Sequence, residues 1–299
     1  NTAEKTVLLD TIAKLEFINS IEGIITHTPK TKQSRAKDVI LSPAKSGINS
    51  ANVGLSLVAI NTTILLMLKR KKKRYRKVFM KHIDIKNWTR KKHFDFFMKQ
   101  DYPVFNLCAN VDITGCYHFA KKHKISIFKI ILYVAVKAAN DIKEFRLRIR
   151  GRRVVEHKIV HPSFTVMGDD DVFSFCTVDY TADFQKFCEH AEKGILQVKK
   201  KIHLSDKSDR DDFLFITTIP WISFTSFVHP IHTHPVDSIP RIAWGKFFEE
   251  NGKIKLPLSV QVHHAVVDGA HVGKYFSKTQ HYFDNISDKR LLTKTIKRI

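Results

Sequence analysis

The residues best placed by type and spacing to do chemistry lie in LPLSVQVHHAVVDGAHVGKYF, residues 256–276. This stretch holds two adjacent histidines, His263 and His264, with Asp268-Gly269 following. Imidazole is the side chain whose ordinary pKa lies nearest neutrality, so it can take up and return a proton within one reaction. Placing two such rings in an apolar run is costly unless each finds a partner. Leu256, Leu258, Val260 and Val262 alternate with Ser259 and Gln261, the period-two pattern of a strand with one apolar face. Continued, that pattern puts His264 on the apolar face and His263 on the polar one. A desolvated imidazole stays neutral near pH 7, as a general base requires. Asp268, four residues beyond His264, is close enough to orient its ring, and a buried carboxylate there needs a cationic partner. Two satisfied core histidines are the structural alternative. The combination H-H-x-x-x-D-G at a strand–turn–helix junction weighs against it.

The elements that must position these residues are legible as changes of period. PVFNLCANVDI (103–113) reads as a strand. Asp112 or Thr114 can cap a short helix through Lys122, and Ser126 opens a buried helix to Asp141. Residues 145–160 read as a hairpin about Gly151, and 163–180 as another turning at GDDD, where a turn is preferred to a calcium site. Thr181 or Asp183 opens a long amphipathic helix to about Ile202, ending in cations that suit a helix C-terminus. Residues 211–228 are strand-like with a break at Pro220. Residues 241–264 form a hairpin with Asn251-Gly252 at its tip, and a last helix starts near Gly269. Hairpins mixed with helices predict an α+β fold, a two-layer sandwich of a large mixed β-sheet with helices packed on one side.

A hydrophobic content of 43% with 22 phenylalanines excludes a disordered chain. The net charge of +22 favours anionic partners. Residues 1–79 hold 15 Lys/Arg against 5 Asp/Glu, so about a quarter of the chain carries nearly half of that charge. Within them, residues 51–68 are uncharged and precede KRKKKRYRK (69–77). Eighteen such residues just reach the length of a membrane span, and the flanking cations would leave the following part in the cytoplasm. Asn52, Ser56, Asn61, Thr62 and Thr63 weaken the run. The expected organisation is a basic N-terminal extension at 1–79, either disordered or with one marginal span at 51–68. A catalytic domain at 80–285, with Met80 as a plausible start, and a basic tail at 286–299 follow. Cys108, Cys116, Cys176 and Cys188 lack metal or redox spacing and read as reduced core thiols in a cytoplasmic protein. The prolines of HPIHTHP (229–235) favour a surface loop over a metal site. No aromatics interleave with the basic run in the manner of a base-stacking surface, so a nucleic-acid partner is not expected.

From about residue 80 to 276 the chain resembles the chloramphenicol acetyltransferase family. The resemblance rests on NWTRKKHFDFF, ANDIKEFRLRI, IPWISFTSF, WGKFFEENGK and LPLSVQVHHAVVDGAHVGKYF. H-H-x-x-x-D-G by itself also occurs in dihydrolipoamide acyltransferase cores, and the N-terminal motif narrows the choice. The resemblance implies transfer of acetyl from acetyl-CoA to a chloramphenicol hydroxyl by direct attack, without a metal, giving antibiotic resistance. It implies His264 as general base, Asp268 paired with Arg90 as a structural salt bridge, and Phe96 and Phe97 as walls of the antibiotic's pocket. It implies a homotrimer with active sites at subunit interfaces. Thr217 stands where the family has an oxyanion-holding serine, and Ala243 where it has a threonine that helps hold a water. Those departures leave open a CoA-dependent acyltransferase acting on another hydroxyl acceptor. The 51–77 segment leaves open a membrane-anchored or nucleic-acid-binding protein that uses the fold as a scaffold.

Overall fold

The computed structural model describes residues 80–168, 171–199, 204 and 210–287. The basic extension, the candidate span at 51–68 and the tail beyond 287 lie outside the described residues. Among the described residues no helix is long and apolar enough to cross a membrane.

From Val104 onward the elements follow the predicted order, except that the strand expected over 211–228 ends at Ile219, before Pro220. The elements are β1 (Met80–His82), α1 (Lys91–Phe97), β2 (Val104–Asp112), α2 (Thr114–His123) and α3 (Ile127–Asn140). A 3₁₀ turn (Lys143–Arg146) leads into β3 (Leu147–Arg150), β4 (Arg153–His157), β5 (His161–Met167) and β6 (Phe173–Thr177). The chain continues through α4 (Phe184–Lys199), β7 (Phe213–Ile219), β8 (Arg241–Gly245), β9 (Phe248–Glu250), β10 (Lys253–His263) and α5 (Gly269–Asp284). The large sheet has the order β2-β10-β8-β7-β5-β6, with β9 paired to β10, and β1-β4-β3 form a small sheet. β5, β7 and β8 run parallel while the outer pairings are antiparallel, so the sheet is mixed.

Local chemistry accounts for the boundaries. Asp112 accepts hydrogen bonds from the Thr114 N–H (3.0 Å) and hydroxyl (2.6 Å), holding the first turn of α2. Asn251 and Gly252 both take positive φ, +52° and +72°, which lets β9 turn directly into β10. Leu214, Ile216, Ile242, Trp244, Leu256, Leu258 and Val260 present one sheet face to the helices, where α3 is buried along nearly its whole length. The in-register row Thr217, Ala243 and Ser259 belongs to the other face, by alternation along each strand.

A strap, residues 220–240, covers part of that second face. The Ser259 hydroxyl donates to the Phe227 carbonyl (3.0 Å), and the Gln261 amide grips both the N–H (2.7 Å) and the carbonyl (3.1 Å) of His229. At Gly245 the strap comes so close that an added Cβ would lie 2.7 Å from the Ile222 carbonyl. The strand therefore has no solvated side: Ser259, Gln261 and His263 are as buried as the apolar residues they alternate with.

Candidate active site

The strand that carries the histidine pair ends at His263. The His264 N–H donates to the Pro103 carbonyl (2.8 Å), and the N–H groups of Val266 and Val267 both turn back to the His263 carbonyl. The backbone leaves the pleat at His264, so alternation no longer decides where that side chain goes. This corrects the expectation from parity. His264 does not sit buried on the apolar face; about a third of its side chain is exposed, 32%. The buried ring is that of His263, which is 4% exposed. Its Nδ1 accepts from the Ala265 N–H (3.2 Å), and burial pushes its pKa down to about 4, so it stays neutral and offers no proton-accepting edge to a substrate.

Three elements hold the His264 ring. Phe97, the last residue of α1, stacks on it in parallel, with centroids 3.8 Å apart and planes 9° apart. Phe105 on β2 packs against it at 4.6 Å, tilted by 51°. Nδ1 is buried and lies 3.2 Å from Asp268 Oδ1, yet it completes no hydrogen bond there. Contact with two apolar rings therefore fixes the imidazole more than a polar anchor does.

Behind the ring, Arg90 is the N-terminal cap residue of α1. Its guanidinium takes both Asp268 oxygens, through Nη1 to Oδ2 and through Nη2 to Oδ1 at 2.9 Å. Nη2 also donates to the His264 carbonyl (3.0 Å), so a single side chain ties the aspartate to the backbone of the histidine. The Arg90 guanidinium holds the Asp268 carboxyl below the usual carboxylate range, and the group is ionised at neutral pH. Asp268 is also the N-cap of α5, and its own N–H donates to His271 Nδ1 (2.9 Å).

Four of the six residues singled out in the sequence thus come together: His264, Asp268, Arg90 and Phe97. Phe96 adjoins Phe97 edge-on at 5.1 Å and is exposed. Thr217 does not join them. It pairs with Ala243 on β8, which pairs with Ser259 on β10, and His264 lies five residues further along. Strand spacing and rise place Thr217 roughly 20 Å from His264 within one chain. Sequence reasoning missed Phe105, Pro103 and His271. Phe105 lies on the core-facing side of β2, where an aromatic residue reads as packing, and a backbone carbonyl such as that of Pro103 carries no sequence signal.

Comparison with known proteins identifies the family. A family model described as chloramphenicol acetyltransferase matches residues 78–280. A chloramphenicol acetyltransferase of Klebsiella sp is 30% identical over 68% of this chain and 93% of its own length. One from Bacillus pumilus is 34% identical over 65% of this chain and 89% of its own. A solved chloramphenicol acetyltransferase superposes with a TM-score of 0.61 at 26% identity, covering 68% of this chain and 99% of that one. A probable dihydrolipoamide acetyltransferase from Listeria monocytogenes shares the fold, with a TM-score of 0.51 at 15% identity over 67% of this chain and 91% of that one.

Proposed function

The chain belongs to the chloramphenicol acetyltransferase family and is an acyltransferase, and from that premise we propose that it transfers acetyl from acetyl-CoA to a hydroxyl of chloramphenicol, with His264 as the general base. The observation that carries the reading is the imidazole of His264. It is clamped between Phe97 and Phe105, partly open, and backed by an Arg90–Asp268 pair that is already neutralised. Nδ1 faces the Asp268 carboxylate, which leaves Nε2 to take the hydroxyl proton. The freed alkoxide forms the new C–O bond at the thioester carbonyl. Collapse of the tetrahedral oxyanion breaks the C–S bond, and the CoA thiolate leaves with its electron pair and takes the proton back from His264. A thiolate departs readily, so no acyl-enzyme is required.

Asp268 is not an acid–base partner in this scheme. Its carboxylate is occupied by Arg90, and its role is to hold the α5 N-terminus and the His264 backbone in one frame. Phe97 has two functions: it fixes the base, and with exposed Phe96 it offers an aromatic wall of the kind a nitrophenyl ring would pack on.

The separation of Thr217 from His264 supports an active site shared between copies of the chain. In that arrangement the Thr217 hydroxyl of one copy holds the oxyanion formed in front of His264 of another, within a homotrimer. The test is thiol release from acetyl-CoA in the presence of chloramphenicol. The parent protein is expected to release one thiol for each acetyl transferred, and no release with this acceptor sinks the acceptor assignment. For the shared site, His264→Ala and Thr217→Val are each made, then unfolded and refolded together. Mixed oligomers regain activity if the two side chains act across an interface, and the mixture stays as inactive as its components if they do not.

A further inference from the structure

We infer that His271 is a positioning residue for this reaction: its ring, with Glu144 facing its far nitrogen, fixes the backbone of Asp268 and through it the Arg90–Asp268–His264 frame. The inference rests on the proposed role of His264, and it deepens that reading by adding a second histidine that touches no substrate.

His271 is the third residue of α5, the position at which a Glu or Gln side chain commonly reaches back to the N–H of the capping residue. Here an imidazole performs that task, with the Asp268 N–H donating to His271 Nδ1 at 2.9 Å. This matters because both oxygens of the Asp268 carboxylate already accept from Arg90. The side chain of Asp268 is set by α1 and its backbone by His271, so both ends of one residue are fastened to different parts of the fold.

The hydrogen bond requires one tautomer. Nδ1 accepts, so the proton of the neutral ring must sit on Nε2. Nε2 lies 3.6 Å from Glu144 Oε1, too far for a full hydrogen bond but close enough for the carboxylate to favour that proton location. Glu144 belongs to the 3₁₀ turn between α3 and β3. The arrangement therefore runs from the 3₁₀ turn, through Glu144 and His271, to the Asp268 backbone four residues from the base. The charged groups around the ring are Glu144, Arg90, Asp268 and Lys274. Burial lowers the pKa of His271, which keeps Nδ1 an acceptor at neutral pH.

The substitution series is His271→Ala, His271→Gln and Glu144→Gln, assayed beside His264→Ala. His271→Ala removes the acceptor and is expected to lower kcat about 10- to 100-fold with KM for both substrates within about threefold, the signature of a displaced catalytic frame. His271→Gln supplies an acceptor oxygen at the same helix position and is expected to restore most of kcat. Glu144→Gln is expected to give a smaller loss. Amide hydrogen exchange supplies a readout independent of turnover: the Asp268 N–H should exchange faster in His271→Ala and return toward the parent rate in His271→Gln. A structural cap with no positioning role would lower Tm in His271→Ala and leave kcat unchanged, and that outcome overturns the inference. So does an unaltered Asp268 exchange rate. If His264→Ala retains turnover, the assignment of the base fails instead, and the exchange data still decide whether His271 fixes Asp268.

Discussion

Arginine, aspartate and histidine meet both in the candidate site and at a second place in the fold. In the candidate site, Arg90 grips Asp268 and His264 lies beside it. At the seam between the two sheets, Arg150 grips Asp211 with two bonds of 2.7 and 2.6 Å, and His157 Nε2 meets the same carboxylate at 2.8 Å. Beneath them Arg148 is wholly buried and donates to the carbonyls of Phe145, Leu147, Asp211 and Phe213. Judged by histidine–aspartate geometry alone, the seam is the better dyad. It is nevertheless the structural one. Every polar atom named there meets another protein atom, and the cluster joins β3 and β4 to β7. In the candidate site the aspartate is equally well paired, but the histidine is held by ring contacts and keeps a nitrogen for something else. The clamp histidine bonds the carboxylate it faces, whereas the ring in the candidate site completes no bond to its carboxylate and is held by ring contacts instead.

The sharpest way to break this distinction is to remove each histidine. His264→Ala is expected to cost about 10²- to 10⁴-fold in kcat, the range for losing a general base, with Tm close to the parent. His157→Ala is expected to lower Tm while kcat per folded molecule stays within about twofold. If His157→Ala lost turnover without losing stability, the seam would be a site and the contrast would fail.

Next in size is the clamp arginine. Arg148→Met keeps much of the apolar bulk but leaves four carbonyls in the interior without their donor. Burial already pushes the Arg148 pKa down to about 10, a measure of how poorly this position tolerates charge. The cation stays because the carbonyls, with Asp211, Asp237 and Asp212 nearby, need it. Several unsatisfied carbonyls should destabilise the fold by about 3–5 kcal/mol, read from denaturant unfolding monitored by circular dichroism. A loss under 1 kcal/mol would mean that water enters the seam freely, against the picture of a dry clamp.

The two regions also differ in how far the sequence reveals them. The sheet and helices were legible because their periods are clean. Val104–Asp112 and Lys253–His263 alternate, Ile127–Asn140 is apolar at helical spacing, and Asn251-Gly252 can only be a turn. The H-H-x-x-x-D-G stretch drew attention to the correct neighbourhood, and the cation beside Asp268 was expected at Arg90. Parity failed one residue short of the site. Alternation holds only while the strand does, and the bond from the His264 N–H to the Pro103 carbonyl coincides with the point where the chain turns. The clamp was not legible at all. FRLRIRGRRVVEHK reads as a hairpin, and nothing in it indicates that the Asp211 carboxylate and the carbonyls of Asp211 and Phe213 wait some sixty residues downstream.

Acid should separate the regions further. His263 and His229 lie at the face covered by the strap, and burial holds both rings neutral, with pKa values pushed down to about 4; the Arg241 cation adds to this for His229. An unfolded histidine titrates near 6.5, so between about pH 6.5 and 4 the unfolded chain binds more protons and stability falls as pH falls. The shifts correspond to roughly 3 kcal/mol for each ring once both states are protonated. The clamp behaves in the opposite sense. Asp211 is held well below the usual carboxylate range by His157 and Arg150, which outweigh the effect of burial. Its contribution is complete above the ordinary carboxylate pKa and fades only below it. On acidification the strap should therefore loosen before the seam, seen as faster amide exchange in 221–240 than in β3 and β4 at pH 5. His229→Asn should flatten part of the acid slope of Tm, and a parent Tm that is level from pH 7 to 4.5 would contradict the assignment.

The smallest expected effect lies at Thr217, and it bears on why the site has spare capacity. Thr217→Ser keeps the hydroxyl and removes one methyl, so kcat should change by no more than about threefold. Thr217→Val keeps the shape and removes the donor, and should cost about 10²-fold, the lower end of the range for losing one oxyanion contact. The pair of substitutions isolates the hydroxyl from the bulk it brings. In the clamp no such separation is available, because each donor there supports the fold as well as its partner. If Ser and Val at 217 behaved alike, the hydroxyl would hold no developing charge. The oxyanion would then have to be sought among backbone N–H groups facing His264, and the case for a second copy of the chain completing the site would lose its chemical reason.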